Sequence, residues 1–308
     1  MARTYLLSDT YNEVTDRIVA ALEAGVAPWV CPWRRDCADG GRPHNGASGH
    51  VYKGINVVLT GMSGFASSRW YTYRQALALG GQVKRGVKGT TVIYWQFIEA
   101  KGTPDDEHAE SATGRKIPIL KSYAVFNAEQ ITWVSGSKHS LVEPVEEAGD
   151  ADNNYEHVEK AIAATGAKIE HHGVRTFYYA ATDAITVPVN SRFDENSAYF
   201  ATVLHELGHW TGAEGRLNRD LKGRFGSESY AAEELVAELA AAFLGAELGV
   251  AGHLQHAEYI GSWIRVLKAD KKAIFTTARL AQEAADYILG RKVGGTLDEP
   301  VTGQQEAA

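Results

Sequence analysis

The stretch His205-Glu206-Leu207-Gly208-His209 decides how the second half of this 308-residue chain is interpreted. Its surroundings, about 196–210, carry apolar residues at helical spacing. Residues i and i+4 of a helix share one face, so His205 and His209 can bind the same metal ion. Glu206 then lies beside that ion, where it can accept a proton from an activated water. The pattern predicts a metal site on a helix, with Glu206 as its catalytic general base.

A third ligand is expected from the next helix, predicted near 230–248. Catalytic zinc takes three protein ligands and keeps an open position for water. Glu234 and Glu238 are spaced i, i+4, so one can bind the metal while the other hydrogen-bonds a ligand imidazole. Two histidines and one glutamate suit Zn²⁺ best, and Mn²⁺, Co²⁺ or Ni²⁺ could occupy the same ligands in a purified sample. The alternative is that these are surface residues on an amphipathic helix. That alternative does not explain why a second helix also carries carboxylates at ligand spacing.

The charge of the chain is divided unequally between its halves. The formal net charge is −7, which by itself argues against a nucleic-acid partner. Residues 1–142, however, hold 16 Lys and Arg against 12 Asp and Glu, whereas residues 143–308 hold 15 against 26. This asymmetry, in a chain of this length, predicts two domains with different partners.

The basic excess is concentrated in residues 28–98, where nine Lys and Arg stand against two Asp and Glu and are interleaved with Trp and Tyr. Cations that follow phosphates, with aromatic faces that stack on bases, are the chemistry of single-strand binding. The candidate DNA-binding residues are Arg34, Arg35, Lys53, Arg69, Trp70, Tyr71, Arg74, Lys84, Arg85 and Lys88. Single-stranded DNA is therefore the predicted partner of the first half.

The alternative for this segment is that its tryptophans are core residues and its cations are simply solvated. We favour the core for Trp95, which alternates within a predicted strand, and Trp29 fits either interpretation. For the basic residues taken together, DNA is favoured. Specific readout of duplex DNA is not expected, because no recognition-helix or zinc-finger pattern is visible.

The element pattern predicts an α+β protein. A helix over 9–25 precedes two strands, 90–98 and 121–126, that read as an antiparallel pair. In the second half a hairpin at about 176–188 precedes a series of helices. Its strand 184–189 is expected at the edge of a sheet, where it could pair with the backbone of a peptide substrate.

The polar and acidic run 136–152 is the predicted domain linker. It separates a first domain, 1–135, with a small antiparallel sheet from a second domain, 153–292. Residues 293–308 are a predicted disordered tail. The chain shows no secretory signal, and its longest apolar stretch is far too short to cross a bilayer. We therefore expect a cytoplasmic protein with no membrane partner.

A series of short strings in both halves is similar to one known family. In the second half they are LHELGHWTG (204–212), RLNR (216–219) and EELVAE (233–238). In the first half they include GIN at 54–56 and WYTYRQA at 70–76. In this order the strings resemble the ArdC antirestriction proteins.

The resemblance implies a fold and a function. It implies an N-terminal single-stranded-DNA-binding domain, shared with plasmid primases, and a C-terminal zincin-like metallopeptidase domain of the gluzincin type. It implies Glu234 as metal ligand and Glu238, in place of the family's usual Asp, as the residue that hydrogen-bonds the ligand His205 without binding the metal itself. A transition-state role for His256 follows from the same resemblance. The implied protein is bacterial, is encoded on a conjugative plasmid, and protects incoming DNA from restriction endonucleases.

Three functions remain open at this point. The leading one joins DNA binding to a zinc-dependent peptidase in an antirestriction protein. The second is a pure binding protein that masks DNA or restriction enzymes and carries a structural, non-hydrolytic metal. The third is a protease tethered to DNA, with another protein as its substrate.

Overall fold

The structure is a computed structural model that describes residues 7–29, 41–99, 116–140, 155–221, 227–251 and 259–293. The helices in this part of the chain are α1 (Leu7–Glu23), α2 (Ile55–Gly61), α3 (Tyr73–Ala78), α4 (Glu156–Ala164), α5 (Asn196–Trp210), α6 (Glu228–Leu248), α7 (Ile260–Ala269) and α8 (Ala273–Ile288). The strands are β1 (His44–Asn45), β2 (Arg69–Thr72), β3 (Gly81–Val83), β4 (Thr90–Glu99), β5 (Lys116–Asn127), β6 (Ile131–Trp133), β7 (Lys168–His171), β8 (Phe177–Tyr179) and β9 (Ala184–Val187).

The first half is built on a four-stranded sheet in the order β1-β2-β5-β4. β4 and β5 pair antiparallel, with Thr90 opposite Val125, which confirms the predicted pair and lengthens it. Helix α3 begins where β2 ends, because Thr72 and Gln75 form a capping box: each side chain accepts a hydrogen bond from the other residue's backbone N–H. Strands β3 and β6 form a separate two-stranded sheet beside it.

The second half opens with a three-stranded sheet in the order β7-β9-β8. Its central strand, β9, is buried along its length, and it pairs with β7 on one side and β8 on the other. The prediction that 184–189 forms the sheet edge is therefore wrong. The sequence does not predict that β9 is a central strand, because the residues of its neighbour β7, KIEH, carry no alternating apolar pattern. Within the described residues, β8 pairs only with β9 and is an edge strand.

The helices of the second half agree with their capping signals. The hydroxyl of Ser227 accepts a hydrogen bond from the backbone N–H of Tyr230 at the start of α6. Gly249 ends the same helix in the left-handed region, with φ 62°. Among the helices of the described segments, none is long and apolar enough to cross a membrane.

One hydrophobic core extends across both halves of the molecule. The rings of Trp29 and Trp263 meet edge to face with centroids 5.5 Å apart, and Trp29 is 4 % exposed. Tyr11 meets Phe275 in the same way at 4.7 Å. Trp29 is therefore a core residue. Trp95 is partly buried against this core, in agreement with its predicted role.

Hydrogen bonds also join the two halves of the molecule across this boundary. The hydroxyl of Thr15 donates to the carbonyl of Lys271 at 2.7 Å. The backbone N–H of Gly54 donates to Oε1 of Gln282 at 3.2 Å. The two domains are thus packed together along an apolar and polar interface.

Candidate metal centre

Helices α5 and α6 cross closely enough to bring their side chains onto one site. A Cβ at Gly208 would lie 3.1 Å from the Cα of Ala237 on the opposite helix. The backbones approach this closely because position 208 has no side chain. The crossing sets His209 of α5 opposite Glu234 of α6.

Two imidazoles and one carboxylate converge at this crossing, and their ligand atoms lie within 4.8 Å of one another. Oε2 of Glu234 is 3.5 Å from Nε2 of His205 and 3.6 Å from Nε2 of His209. Metal–ligand bonds of about 2.0–2.2 Å at tetrahedral angles place ligand atoms roughly 3.3–3.6 Å apart. The three residues that the sequence singles out as ligands are brought together at separations that fit a divalent ion.

Behind His209 lies a partly buried carboxylate, Glu233, that sequence reasoning missed. Oε1 of Glu233 is 3.3 Å from Nδ1 of His209. Arg219 holds Glu233 with two hydrogen bonds of 2.8 and 3.0 Å. The same guanidinium donates to the carbonyl of Gly208 at 2.7 Å and to the hydroxyl of Thr211 at 2.8 Å. Arg219 therefore ties the loop after α5 to both helices of the site.

The charges of the site are strongly coupled. Burial lowers the pKa of His209, but the hydrogen bonds and charges of Glu233 and Glu234 outweigh it and raise the pKa to about 10. Burial raises the pKa of Glu234, yet His205 and His209 hold it well below its usual value. Burial likewise raises the pKa of Glu233, and bonds from His209 and Arg219 bring it below the usual value. Both carboxylates are ionised at neutral pH.

The site opens into a cleft of about 330 Å³. Its lining includes His205, Glu206 and His209 and the edge strand β8. Tyr230 also lines the cleft. Burial raises the pKa of Tyr230, and hydrogen bonds to Tyr259 and Glu234 raise it further, so its hydroxyl stays protonated and can donate.

Comparison with known proteins identifies both halves. Residues 156–280 match the family described as a zincin-like metallopeptidase, and residues 8–126 match the N-terminal domain of the anti-restriction factor ArdC. A metal-free crystal structure of the antirestriction protein ArdC from plasmid R388 is 40% identical, with a TM-score of 0.73 over 91% of this chain and 96% of that one. The chain belongs to the ArdC family.

The chain is also similar to a metal-bound structure and to three further proteins. A second structure of the R388 protein, 38% identical and with a TM-score of 0.70 over 93% of this chain and 98% of that one, holds Mn(II). A protein of Sinorhizobium fredii, y4eC, is 36% identical over 91% of this chain and 92% of its own length. A DNA primase TraC of Escherichia coli is 41% identical, and this chain spans 27% of its length. A second TraC is 40% identical and is spanned over 20%.

The structure of this ArdC-family chain contradicts part of the predicted DNA-binding set. Trp70 and Tyr71 are 1% and 0% exposed and pack in the interior of the first domain. Their rings cannot stack on a base in this conformation. Arg69 is also buried, and it donates to the carbonyls of Lys138 and Ser140. The dense Arg-Trp-Tyr cluster belongs to β2, a strand covered on both faces, so its composition serves packing.

The other predicted residues divide into four groups. Lys53 pairs with Asp286 at 3.2 Å, across the boundary between the domains. The exposed cations are Arg74, Lys84, Arg85 and Lys88. Glu238 is buried on α6, one turn after Glu234, and its contact with His205 stays a prediction. Those that lie outside the described residues are Arg34, Arg35 and His256.

Proposed function

We propose that this protein is a plasmid-type antirestriction protein whose first domain binds single-stranded DNA and whose second domain is a zinc-dependent peptidase. The observation that carries the peptidase is the convergence of His205, His209 and Glu234 at ligand distances inside a cleft that also holds Glu206. A zinc ion held by the three ligands would activate a water and polarise the substrate carbonyl. Zn²⁺ is our choice from the donor set, with Mn²⁺, Co²⁺ or Ni²⁺ as the alternatives.

The chain's own residues have separate tasks in this proposal. Glu206 accepts the proton of the attacking water, and its place beside the ligands in the cleft supports that role. Tyr230 donates a hydrogen bond to the carbonyl oxygen as it becomes negative, as we also infer for His256. Arg219 and Glu233 hold His209 so that its Nε2 faces the ligand cluster.

The substrate is held, in this proposal, by the edge strand β8. An extended peptide can add to an exposed strand through backbone hydrogen bonds. Phe177 and Tyr179 of β8 are 43 % and 55 % exposed, and both line the cleft. A peptide aligned with β8 would pass in front of Glu206 and the ligand cluster. This replaces the predicted role of the buried strand β9.

DNA binding by the first domain is supported by the match to the ArdC N-terminal domain and by relatives named as primases. Protection of DNA is supported by the relative named as an antirestriction protein. We place the protein in the bacterial cytoplasm, where incoming plasmid DNA meets restriction endonucleases. These enzymes, or another protein, are then the candidate substrates of the cleft.

The deciding experiment is a restriction assay in cells that carry wild type or Glu206→Gln. Glutamine keeps the shape of the side chain but cannot accept the proton, so we expect metal binding to survive and peptide hydrolysis to stop. If hydrolysis causes protection, protection is lost as well. Glu214→Gln, an exposed carboxylate outside the cleft, is the matched control and should protect like wild type.

The same assay separates the rival functions. Full protection by Glu206→Gln would support a binding protein that masks DNA or restriction enzymes. Loss of hydrolysis with unchanged protection, together with cleavage of some other protein by wild type, would support a protease tethered to DNA.

A further inference from the structure

Within the first domain, residues 41–98 have a one-sided charge, and some of their cations are used in contacts within the fold. Residues 41–98 contain seven Lys and Arg and no Asp or Glu. Arg42 pairs with Glu247 at 3.3 Å, and Lys53 pairs with Asp286. Arg69 is buried against backbone carbonyls. Three of the seven cations therefore stabilise the fold.

The remaining four cations are exposed, and they lie in α3 and in the turn after β3. They are Arg74, Lys84, Arg85 and Lys88. Among them stands Tyr73, the first residue of α3, with 49% of its surface exposed. In contrast to the buried ring of Tyr71, this ring is open to solvent.

Contacts join Tyr73 to the basic turn from two sides. On one side its hydroxyl accepts a hydrogen bond from the side-chain amide of Gln82 at 3.4 Å. Gln82 and Lys84 lie two residues apart along the chain leaving β3, so their side chains point to the same face. Tyr73 and Lys84 therefore share that face.

On the other side, the ring of Tyr73 meets the ring of Phe126 edge to face, with centroids 6.4 Å apart. The tip of the Phe126 ring lies against Gly89, where a Cβ would be 3.3 Å away. Gly89 follows Lys88 directly. The aromatic pair thus extends from the start of α3 to the end of the basic turn.

Glu129 contacts this surface through its backbone carbonyl, while its carboxylate is bonded elsewhere. Oε1 of Glu129 accepts a hydrogen bond from the backbone N–H of Ser67 at 2.8 Å, so its charge is engaged in the fold. The carbonyl of Glu129 in turn accepts from Nζ of Lys84 at 2.8 Å, which orients that cation. Lys84 keeps its positive charge, because a backbone carbonyl does not neutralise it.

We infer that this surface, which we call the Tyr73 face and define by Tyr73, Arg74, Lys84, Arg85 and Lys88, is where the first domain holds single-stranded nucleic acid. The inference rests on the proposed DNA-binding function and names its site. Tyr73 stacks on a base, and the cations follow the phosphates on either side. This arrangement needs unpaired bases, because a duplex does not expose a base face to a lone surface ring.

The first test measures binding of a fluorescein-labelled oligo(dT) to the full chain by anisotropy. Tyr73→Ala is expected to weaken binding about tenfold or more, because stacking contributes about that much per base. Tyr73→Phe keeps the ring and should bind within about twofold of wild type. Val174→Ala shortens an exposed apolar side chain of the second domain, 75% exposed, and should leave binding unchanged.

The second test measures how binding depends on salt. Replacing Lys84, Arg85 and Lys88 with glutamine should lower the slope of log affinity against log salt by roughly 2, since each phosphate contact on a single strand contributes about 0.7. The matched control replaces three exposed cations of the second domain, Lys160, Lys168 and Arg175, with glutamine and should leave the slope unchanged.

The outcomes separate this inference from the function on which it rests. Wild type that fails to bind oligo(dT) overturns both. Wild type that binds, with Tyr73→Ala binding equally well or the triple variant keeping its salt slope, overturns the Tyr73 face and leaves DNA binding in place. Equal affinity for a duplex of the same length also overturns the stacking role, because the bases of a duplex are already stacked.

Discussion

The hydrogen bond at Nδ1 of His209 determines which ring nitrogen faces the ligand cluster. Because Nδ1 donates to Glu233, Nε2 is the ring nitrogen that faces Glu234, and it can bind a metal once its proton is released. Arg219 holds Glu233 in place, with a side chain that is only 5% exposed. The three residues form a chain of contacts from the loop after α5 to the metal centre.

We expect Arg219→Met to lower metal affinity by about 10–100-fold, the usual cost of losing a partner behind a metal ligand. Methionine fills a similar volume but cannot bind Glu233 or the carbonyl of Gly208. Calorimetric titration with Mn²⁺ measures the effect. Arg265→Met, at an exposed arginine of α7 that donates to the hydroxyl of Ser262, is the control. Affinity equal to wild type would contradict a positioning role for Arg219.

Metal binding should also release a proton. The pKa of His209 is raised to about 10 without metal, so the imidazole is protonated at neutral pH, and a ligand imidazole must be neutral. We expect about one proton released per ion at pH 7, and an affinity that falls about tenfold for each pH unit as pH decreases. Titrations in two buffers of different ionisation enthalpy count the protons. Identical heats of binding in both buffers would contradict proton release on metal binding.

At the scale of elements, the metal centre depends on how closely α5 and α6 approach. Sequence spacing predicts that each helix places its ligands on one face, but it does not set the distance between the helices. Gly208 sets that distance, because its missing side chain lets the helix rest on Ala237. The hairpin illustrates the same limit: its strands were predicted, while the neighbouring β7 decided which of them is buried.

Gly208→Ala is expected to destabilise the protein by about 1–3 kcal/mol, the range for overpacking, and to weaken metal binding because Glu234 moves away from the histidines. The matched control is Gly261→Ala in α7, where a Cβ would meet nothing within 4 Å. That change should be neutral or stabilise by up to about 1 kcal/mol. Urea unfolding and metal titration of both variants give the comparison. If the two glycines behave alike, close packing at Gly208 is not the cause.

At the scale of the whole molecule, the two domains share one hydrophobic core. Trp29 of the first domain is buried against Trp263 of the second. The first domain alone would expose this surface, so the intact chain is the proper material for DNA-binding measurements. A substitution that disrupts the core within one domain should therefore destabilise the other domain as well.

Trp29→Ala should lower the free energy of unfolding by about 3–5 kcal/mol and loosen both domains together. Hydrogen exchange of α2 and α5, followed by mass spectrometry, measures this. Leu77→Ala, at a side chain that is 58 % exposed, should change stability by less than about 0.5 kcal/mol. Faster exchange confined to α2 would show that the domains unfold independently.

Local patterns in the sequence determined most of the helices, the β4–β5 pair and the two histidines, with Glu234 or Glu238 as the third candidate ligand. These features depend on spacing within one element, which the order of residues contains directly. The match to the ArdC family followed from strings of the same kind. Glu233 and Arg219 lay within those strings, but their contact with His209 joins a loop to a second helix and could not be read from spacing.

Only the tertiary structure decided which side chains meet solvent. Trp70 and Tyr71 looked like a base-stacking pair, yet both are buried, and Tyr73 two residues later is exposed. The reason is physical: an aromatic ring beside a cation has the same composition whether it fills a core or covers a surface. Which of these it does depends on the sheets and helices packed around it, and these come from distant parts of the chain.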